Sequence, residues 1–262
     1  MINLAPDALA PTLLIASAGL VAGAINALSG GGSLLSFPLL TALGMPALSA
    51  NVSNTVALLP GYLGAALALR RQLAGQRRRA ALLLPAAALG GLAGGGLLLT
   101  SGERLFTSLV PWLILLGAGL LALQEPLRAW LLHHPRRAGG PLPEAWSVGP
   151  VLLACVYGGY FGAGLGVILL AVLGLCLQDS LTRLNGLKQP ISLVANLMAS
   201  LLFLARGPVD GGVVLTLGAG ALVGGALGGR LARRLDPAQL RWVVVAIGLA
   251  VGLLFLIRQS RG

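Results

Sequence analysis

Residues 22–61 read AGAINALSGGGSLLSFPLLTALGMPALSANVSNTVALLPG. The stretch is apolar at both ends and polar in the middle, where Asn26, Ser29, Ser33, Asn51, Ser53, Asn54 and Thr55 stand among leucines and alanines. Gly30, Gly31 and Gly32 interrupt what would otherwise be one long helix. In lipid, a broken helix is tolerated only where protein or a wet cavity covers its free backbone groups. Polar side chains beside such a break point to a binding site at mid-depth, as in carriers built on discontinuous helices. Gly and Ser also serve close helix packing without touching a solute. The asparagines, and a repeat described below, favour the binding reading. No lysine follows the glycines as a phosphate-cradling loop requires.

Composition sets the surroundings of this stretch. Of 262 residues, 56% are hydrophobic and 10% charged, and the mean hydropathy is +0.90. A soluble domain of this size could not hide so much apolar surface, so an all-α polytopic membrane protein with the lipid bilayer as its solvent is expected. The net charge of +11 comes from arginines in short loops between apolar spans. That is the mark of cytoplasmic loops facing anionic lipid, not of a nucleic-acid surface. Cys155 and Cys176 lie in apolar stretches and read as small core residues. The adjacent His133 and His134 have no other ligand type nearby, so no metal or cofactor is expected. The N-terminal MINLAPDALAP lacks a basic segment before the first apolar span and does not read as a cleaved signal peptide.

Apolar segments run at roughly 12–28, 33–43, 51–69, 80–100, 104–124, 149–163, 166–177, 185–205, 212–231 and 238–257. Those near twenty residues can span a hydrocarbon core of ~30 Å. Segments 33–43 and 166–177 are short and read as half-helices or re-entrant arms beside their glycine breaks. About eight transmembrane segments are therefore expected, with broken or re-entrant helices in each half. Pro60, Pro85, Pro111 and Pro190 fall in or near spans, where they can kink helices.

The chain matches itself at an offset of 134 residues. Gly30 and Gly32 fall on Gly164 and Gly166, Asn51 on Asn185, and Asn54 on Lys188. Gly90, Gly91, Gly94 and Gly95 fall on Gly224, Gly225, Gly228 and Gly229, as overlapping small-residue pairs suited to close helix packing. Two homologous repeats follow, 1–124 and 149–262, joined by a Gly-, Pro- and Arg-rich linker, 125–148. Arg70, Arg71, Arg77, Arg78 and Arg79 place the 70–79 loop inside, with the linker and the 230–241 loop, which carries Arg230, Arg233, Arg234 and Arg241. Loops 100–104 and 206–211 then lie outside. Corresponding loops fall on opposite sides, so the repeats are expected to be inverted, with an odd number of crossings each. The C-terminus, with Arg258 and Arg261, then falls outside, against the charge rule.

The segment GAINALSGGGSLLSFPLLTALGMPALSANVSNTVALLPG resembles the TauE/SafE family of membrane permeases. So do YGGYFGAGLGVILLAVLGL and NGLKQPISLVANLMASLLF in the second half. The resemblance implies a bacterial inner-membrane protein that exports sulfite, sulfoacetate or related sulfur-containing anions. Ser29 stands where the family often has Ala before the glycines.

Lys188 is the chain's one lysine. A cation within a membrane segment is costly and is by default a functional-site hypothesis, although near Arg183 it could also reach the interface. An oxyanion needs several hydrogen-bond donors and one positive charge. Asn26, Ser29, Ser33, Asn51, Asn54, Thr55, Asn185, Asn196 and backbone N–H groups at Gly30, Gly31, Gly32, Gly164 and Gly166 could supply the donors, and Lys188 the charge. The carboxylates Asp7, Glu103, Glu125, Glu144, Asp179, Asp210 and Asp236 all fall at termini, loops or segment ends, leaving no mid-membrane proton relay. A secondary anion transporter is thus expected, with an anion or ion channel through a continuous polar pore as the alternative. No catalytic triad, metal-ligand spacing or nucleotide fingerprint argues for an enzyme. Self-association of the chain is left open.

Overall fold

The computed structural model describes residues 9–28, 31–133, 143–231 and 237–261. Among these residues all regular structure is helical: α1 (Leu9–Leu28), α2 (Ser33–Ala42), α3 (Ala47–Ala68), α4 (Arg77–Ala122), α5 (Gln124–His133), α6 (Val148–Tyr160), α7 (Leu165–Cys176), α8 (Leu181–Arg206), α9 (Gly211–Leu231) and α10 (Pro237–Arg261), with short 3-10 turns at Arg70–Leu73 and Glu144–Ser147. The N-terminal residues with Asp7, the Ser29–Gly30 pair, the linker segment with His134, Arg136 and Arg137, and the loop with Arg233, Arg234 and Asp236 lie outside the described residues.

Among the described residues four helices are long and apolar enough to cross a bilayer: α1, α4, α8 and α9; α2, α7 and the Arg241–Ile257 part of α10 are shorter apolar helices. This is a multi-pass membrane protein. α4 has 46 residues, which at 1.5 Å per residue is about twice a hydrocarbon core. It bends at Gly102, where φ is 71° and ψ 171°, a conformation that glycine alone adopts without strain. The bend divides α4 into a first arm, 77–101, and a second arm, 103–122, matching the expected spans on either side of loop 100–104. α3 has 22 residues but falls outside the apolar set, because Asn51, Ser53, Asn54 and Thr55 lie in its first half and are all buried. Packed against α1, α8 and α9, it occupies the protein interior.

Glycines set the helix directions by letting backbones touch. A Cβ at Gly91 would sit 2.1 Å from the Ala195 carbonyl oxygen, and one at Gly94 2.0 Å from that of Val156. The first arm of α4 therefore runs alongside α6 and α8, in the same direction. On the other side, a Cβ at Gly224 would sit 1.9 Å from the Leu20 oxygen and one at Gly225 2.7 Å from the Gly61 oxygen, so α9 runs with α1 and α3. The packing role expected for these glycines is what they perform. α3 and α8 oppose one another. At one end Ser49 Oγ donates to the Pro208 carbonyl and Asp210 N–H to Ser53 Oγ; at the other Gly186 abuts Gln72 and Arg183 donates to the Ala74 carbonyl.

The two ends of the bundle differ in charge. At the end carrying Arg70, Arg71 and Arg77–Arg79, Arg79 pairs with Glu144 at 2.7 Å and Asp179 at 2.6 Å, and Arg183 with Asp179 at 2.9 Å. Burial alone would raise the Asp179 pKa; hydrogen bonds from Arg183, the Ser180 N–H and Arg79 outweigh it and hold the carboxyl below its usual value. Arg241 reaches Glu125 at the same end. At the opposite end lie the Gly102 bend, Glu103 accepting the Leu48 N–H, and the 207–210 connection. Residues 125–133 of the expected linker belong to α5, whose Leu131 packs on Gly174 of α7.

Candidate functional site

Both breaks are held open by a side chain from the helix before them. In the first, Asn26 Oδ1 accepts the Gly32 N–H at 2.8 Å. A Cβ at Gly32 would fall 2.2 Å from the Ala22 oxygen, so the chain can fold back on α1 there only as glycine. In the second, Tyr157 OH donates to the Ala163 carbonyl at 2.6 Å, and Gly162 (φ 77°) and Gly164 (φ 78°) make the turn between α6 and α7. The two breaks then meet on the second arm of α4. A Cβ at Gly117 would lie 3.0 Å from Leu34 Cδ2 and 3.1 Å from Ala163 Cβ. The rings of Phe37 and Phe161 meet edge to face at 5.4 Å, with Phe106 and Tyr160 joining them. Tyr160 OH donates to Ser101 Oγ, so this aromatic cluster lies between the breaks and the Gly102 end.

Two lines of polar side chains flank the breaks. On α3, Asn51 Nδ2 donates to the Tyr160 carbonyl at 3.0 Å, satisfying an oxygen that the end of α6 leaves free. One turn on, Asn54 is 1% exposed and neither atom of its amide has a partner. Thr55 Oγ1 donates back to the Asn51 carbonyl within its own helix. On α8, Asn185, Gln189, Ser192, Asn196 and Ser200 recur every three to four residues and so share one face, with Lys188 at its edge beside Gln189. Lys188 is 2% exposed and makes no hydrogen bond or ion pair among the described residues. It does not snorkel to the surface. Asn196 Nδ2 donates to the Ser192 carbonyl, and its Oδ1 lies 3.9 Å from where a Gly162 Cβ would be.

The structure thus brings part of the expected set together. Asn26, Gly31 and Gly32 gather at the first break, Asn51, Asn196 and Gly164 at the second, and both pack on the second arm of α4. Ser33 and Gly166 are buried at the starts of α2 and α7. Thr55 bonds within α3, Asn185 is half-buried near the arginine-bearing end, and Ser29 and Gly30 lie outside the described residues. Lys188 and Asn54 do not meet: they sit toward opposite ends of the antiparallel α3–α8 pair. Two residues were missed. Gln189 Nε2 and Ser200 Oγ are buried without partners. Their signal was the i, i+4 spacing to Asn185 and Asn196, and Gln189 also falls on Thr55 at the offset of 134. Among the described residues no three His, Cys, Asp or Glu side chains could hold a metal ion.

This arrangement can bind a small polar solute. Asn26 Nδ2, Asn54 Nδ2 and Gln189 Nε2 are buried donors without acceptors, and an unsatisfied buried polar group costs about 1–3 kcal/mol. A cleft of about 920 Å³ at the arginine-bearing end is lined by Arg78, Arg79, Glu144, Cys176 and Gln178 and lies apart from these amides.

The family model described as sulfite exporter TauE/SafE matches residues 15–255. A Haemophilus influenzae protein named "Probable membrane transporter protein" is 28% identical over 227 residues, covering 87% of each chain.

Proposed function

This chain belongs to the TauE/SafE sulfite exporter family, and from that premise we infer that it is a secondary transporter carrying small sulfur-containing oxyanions out of a bacterial cell across the inner membrane. One observation carries the choice of an anion: Lys188 is buried with no acidic partner among the described residues. An uncompensated buried charge is expensive, and an anionic solute is what would balance it. The neighbouring amides suit oxyanions, which accept several hydrogen bonds at once. Sulfite is the solute in the family's name and fits this donor set.

The same reading includes two inverted repeats, 1–124 and 149–262. What supports it is the correspondence of elements at the offset of 134: α1 with α6, α2 with α7, α3 with α8, and the two arms of α4 with α9 and α10. Gly91 against Ala195 and Gly225 against Gly61 are the same contact at that offset. The arginine-bearing end faces the cytoplasm by the charge rule. An inside-negative potential then favours anion exit by about 2.3 kcal/mol per charge per 100 mV, so export needs no further coupling. The tight packing of Leu34 and Ala163 on Gly117, with Phe37 against Phe161, favours a carrier over a continuously open pore.

The test is sulfite flux in proteoliposomes at set potentials, with sulfate and small carboxylates as comparisons. Saturable sulfite flux is expected, and Lys188→Ala should abolish it while the protein stays monodisperse in detergent. Full flux in that variant would remove Lys188 from the mechanism, and potential-independent flux that follows ΔpH would refute uniport.

A further inference from the structure

Lys188 and Asn54 occupy equivalent register positions yet lie near opposite faces. Asn54 is seven residues in from the start of α3, and Lys188 seven in from the start of α8. Because the two helices are antiparallel, each stands about 10 Å from a different end of the pair. Three other partnerless side chains on α1 and α8 divide the same way; those of Gln72, Gln76, Gln124 and Arg241 all lie at the arginine-bearing end. Ser200 is six residues from the end of α8, level with Asn54, whereas Gln189 adjoins Lys188 and Asn26 lies two residues from the end of α1 that runs with α3 toward the arginine-bearing face. Lys188 and Ser200 share α8, twelve residues or about 18 Å apart. A sulfite-sized anion, a few ångströms across, cannot touch both.

We propose that the protein holds its solute at two separate stations of unlike chemistry: a cationic one, formed by Lys188, Gln189 and Asn26 nearer the arginine-bearing face, and a neutral one, formed by Asn54 and Ser200 nearer the opposite face. The inference rests on the transporter reading above and adds where charge is compensated and where it is not. At the first station an anion is held by charge and amide donors. At the second it is held by hydrogen bonds alone, more weakly, because hydrogen bonds to a charged donor are about twice as strong as neutral ones. The solute is captured from the arginine-bearing side and released from a site that does not hold it by charge. Asn51 and the aromatic cluster at Tyr160 close the neutral station from the far side.

Two experiments on the full chain decide this. The first is the exchange variant, Asn54→Lys with Lys188→Asn, in oriented proteoliposomes with inorganic sulfite. Wild type should half-saturate at least tenfold lower from the arginine-bearing face. The exchange variant should keep at least a tenth of wild-type flux with the preferred face reversed. A folded exchange variant that is inactive, or that keeps the wild-type preference, overturns the proposal. The second experiment needs no transport and stands if the exchange variant fails to fold or if sulfite is not carried. In a Cys155→Ala, Cys176→Ser background, Lys188→Cys and Asn54→Cys are each exposed to an impermeant thiol reagent, in intact cells and in inverted vesicles. Labelling of Lys188→Cys from the arginine-bearing side and Asn54→Cys from the other supports two stations. Labelling of both from the same side, or of neither from either side, refutes them. Sided labelling without sulfite flux would retain the stations and reject sulfite as the solute.

Discussion

Replacing Gly91 by alanine tests whether backbone contact is what holds α4 against α8. The added Cβ would lie 2.1 Å from the Ala195 carbonyl oxygen and 2.8 Å from both its Cα and its carbonyl carbon. Ordinary contact begins near 3.4 Å, so the first arm of α4 and α8 must part by roughly 1 Å. Neither neighbour can yield by rotating a side chain, because the obstruction is main chain. Overpacking of this kind costs about 1–3 kcal/mol, of which the better helix propensity of alanine returns up to ~1 kcal/mol. Gly119→Ala on the second arm is the control: nothing lies within 4 Å of its new Cβ, so only the propensity gain remains. The two variants should differ by about 2 kcal/mol, or several degrees in melting temperature, followed by size-exclusion chromatography of heated detergent samples. The displacement also moves Asn196, beside Ala195, so Gly91→Ala should lose transport more steeply than stability. If Gly91→Ala melts at or above Gly119→Ala, the close approach of α4 to α8 is wrong.

Tyr157→Phe removes the hydroxyl that holds the Ala163 carbonyl; a stability loss of about 1–3 kcal/mol and slower flux are expected, and unchanged melting would show that the second break does not depend on it. Asn26→Leu frees the Gly32 N–H at the first break and should cost a similar amount, read by the same thermal assay. Because the folded pKa of Asp179 is depressed, its contribution is present above the unfolded value near ~3.9 and is lost as pH falls through the lower folded value. Asp179→Asn should therefore lower the melting temperature at pH 7 and flatten its fall under acid, and an acid profile identical to wild type would exclude Asp179 from that transition.

Membrane residence and the all-helical, broken-helix character could be read from sequence, because lipid allows few solutions: apolar runs, glycine at interruptions, arginines concentrated toward one face. Gly30–Gly32 and Gly164 mark breaks for that reason, and the paired glycines at 90–95 and 224–229 mark contacts; that the second turn uses Gly162 and leaves Gly166 inside α7 was decided by the fold. Sequence could not say which backbones those glycines touch, since a small residue states only that something comes close. The pairing of α4 with α6 and α8, and of α9 with α1 and α3, was decided by tertiary structure. So was the distribution of the polar residues. The register of 134 aligns Asn54 with Lys188 along the chain and invites a single shared pocket; antiparallel packing of α3 and α8 sets them toward opposite faces. Gln189 and Ser200 escaped notice because a polar residue in an apolar helix often bonds its own backbone, as Thr55 and Asn196 do. Only the packed structure separates those satisfied within the helix from those left with an open hydrogen bond.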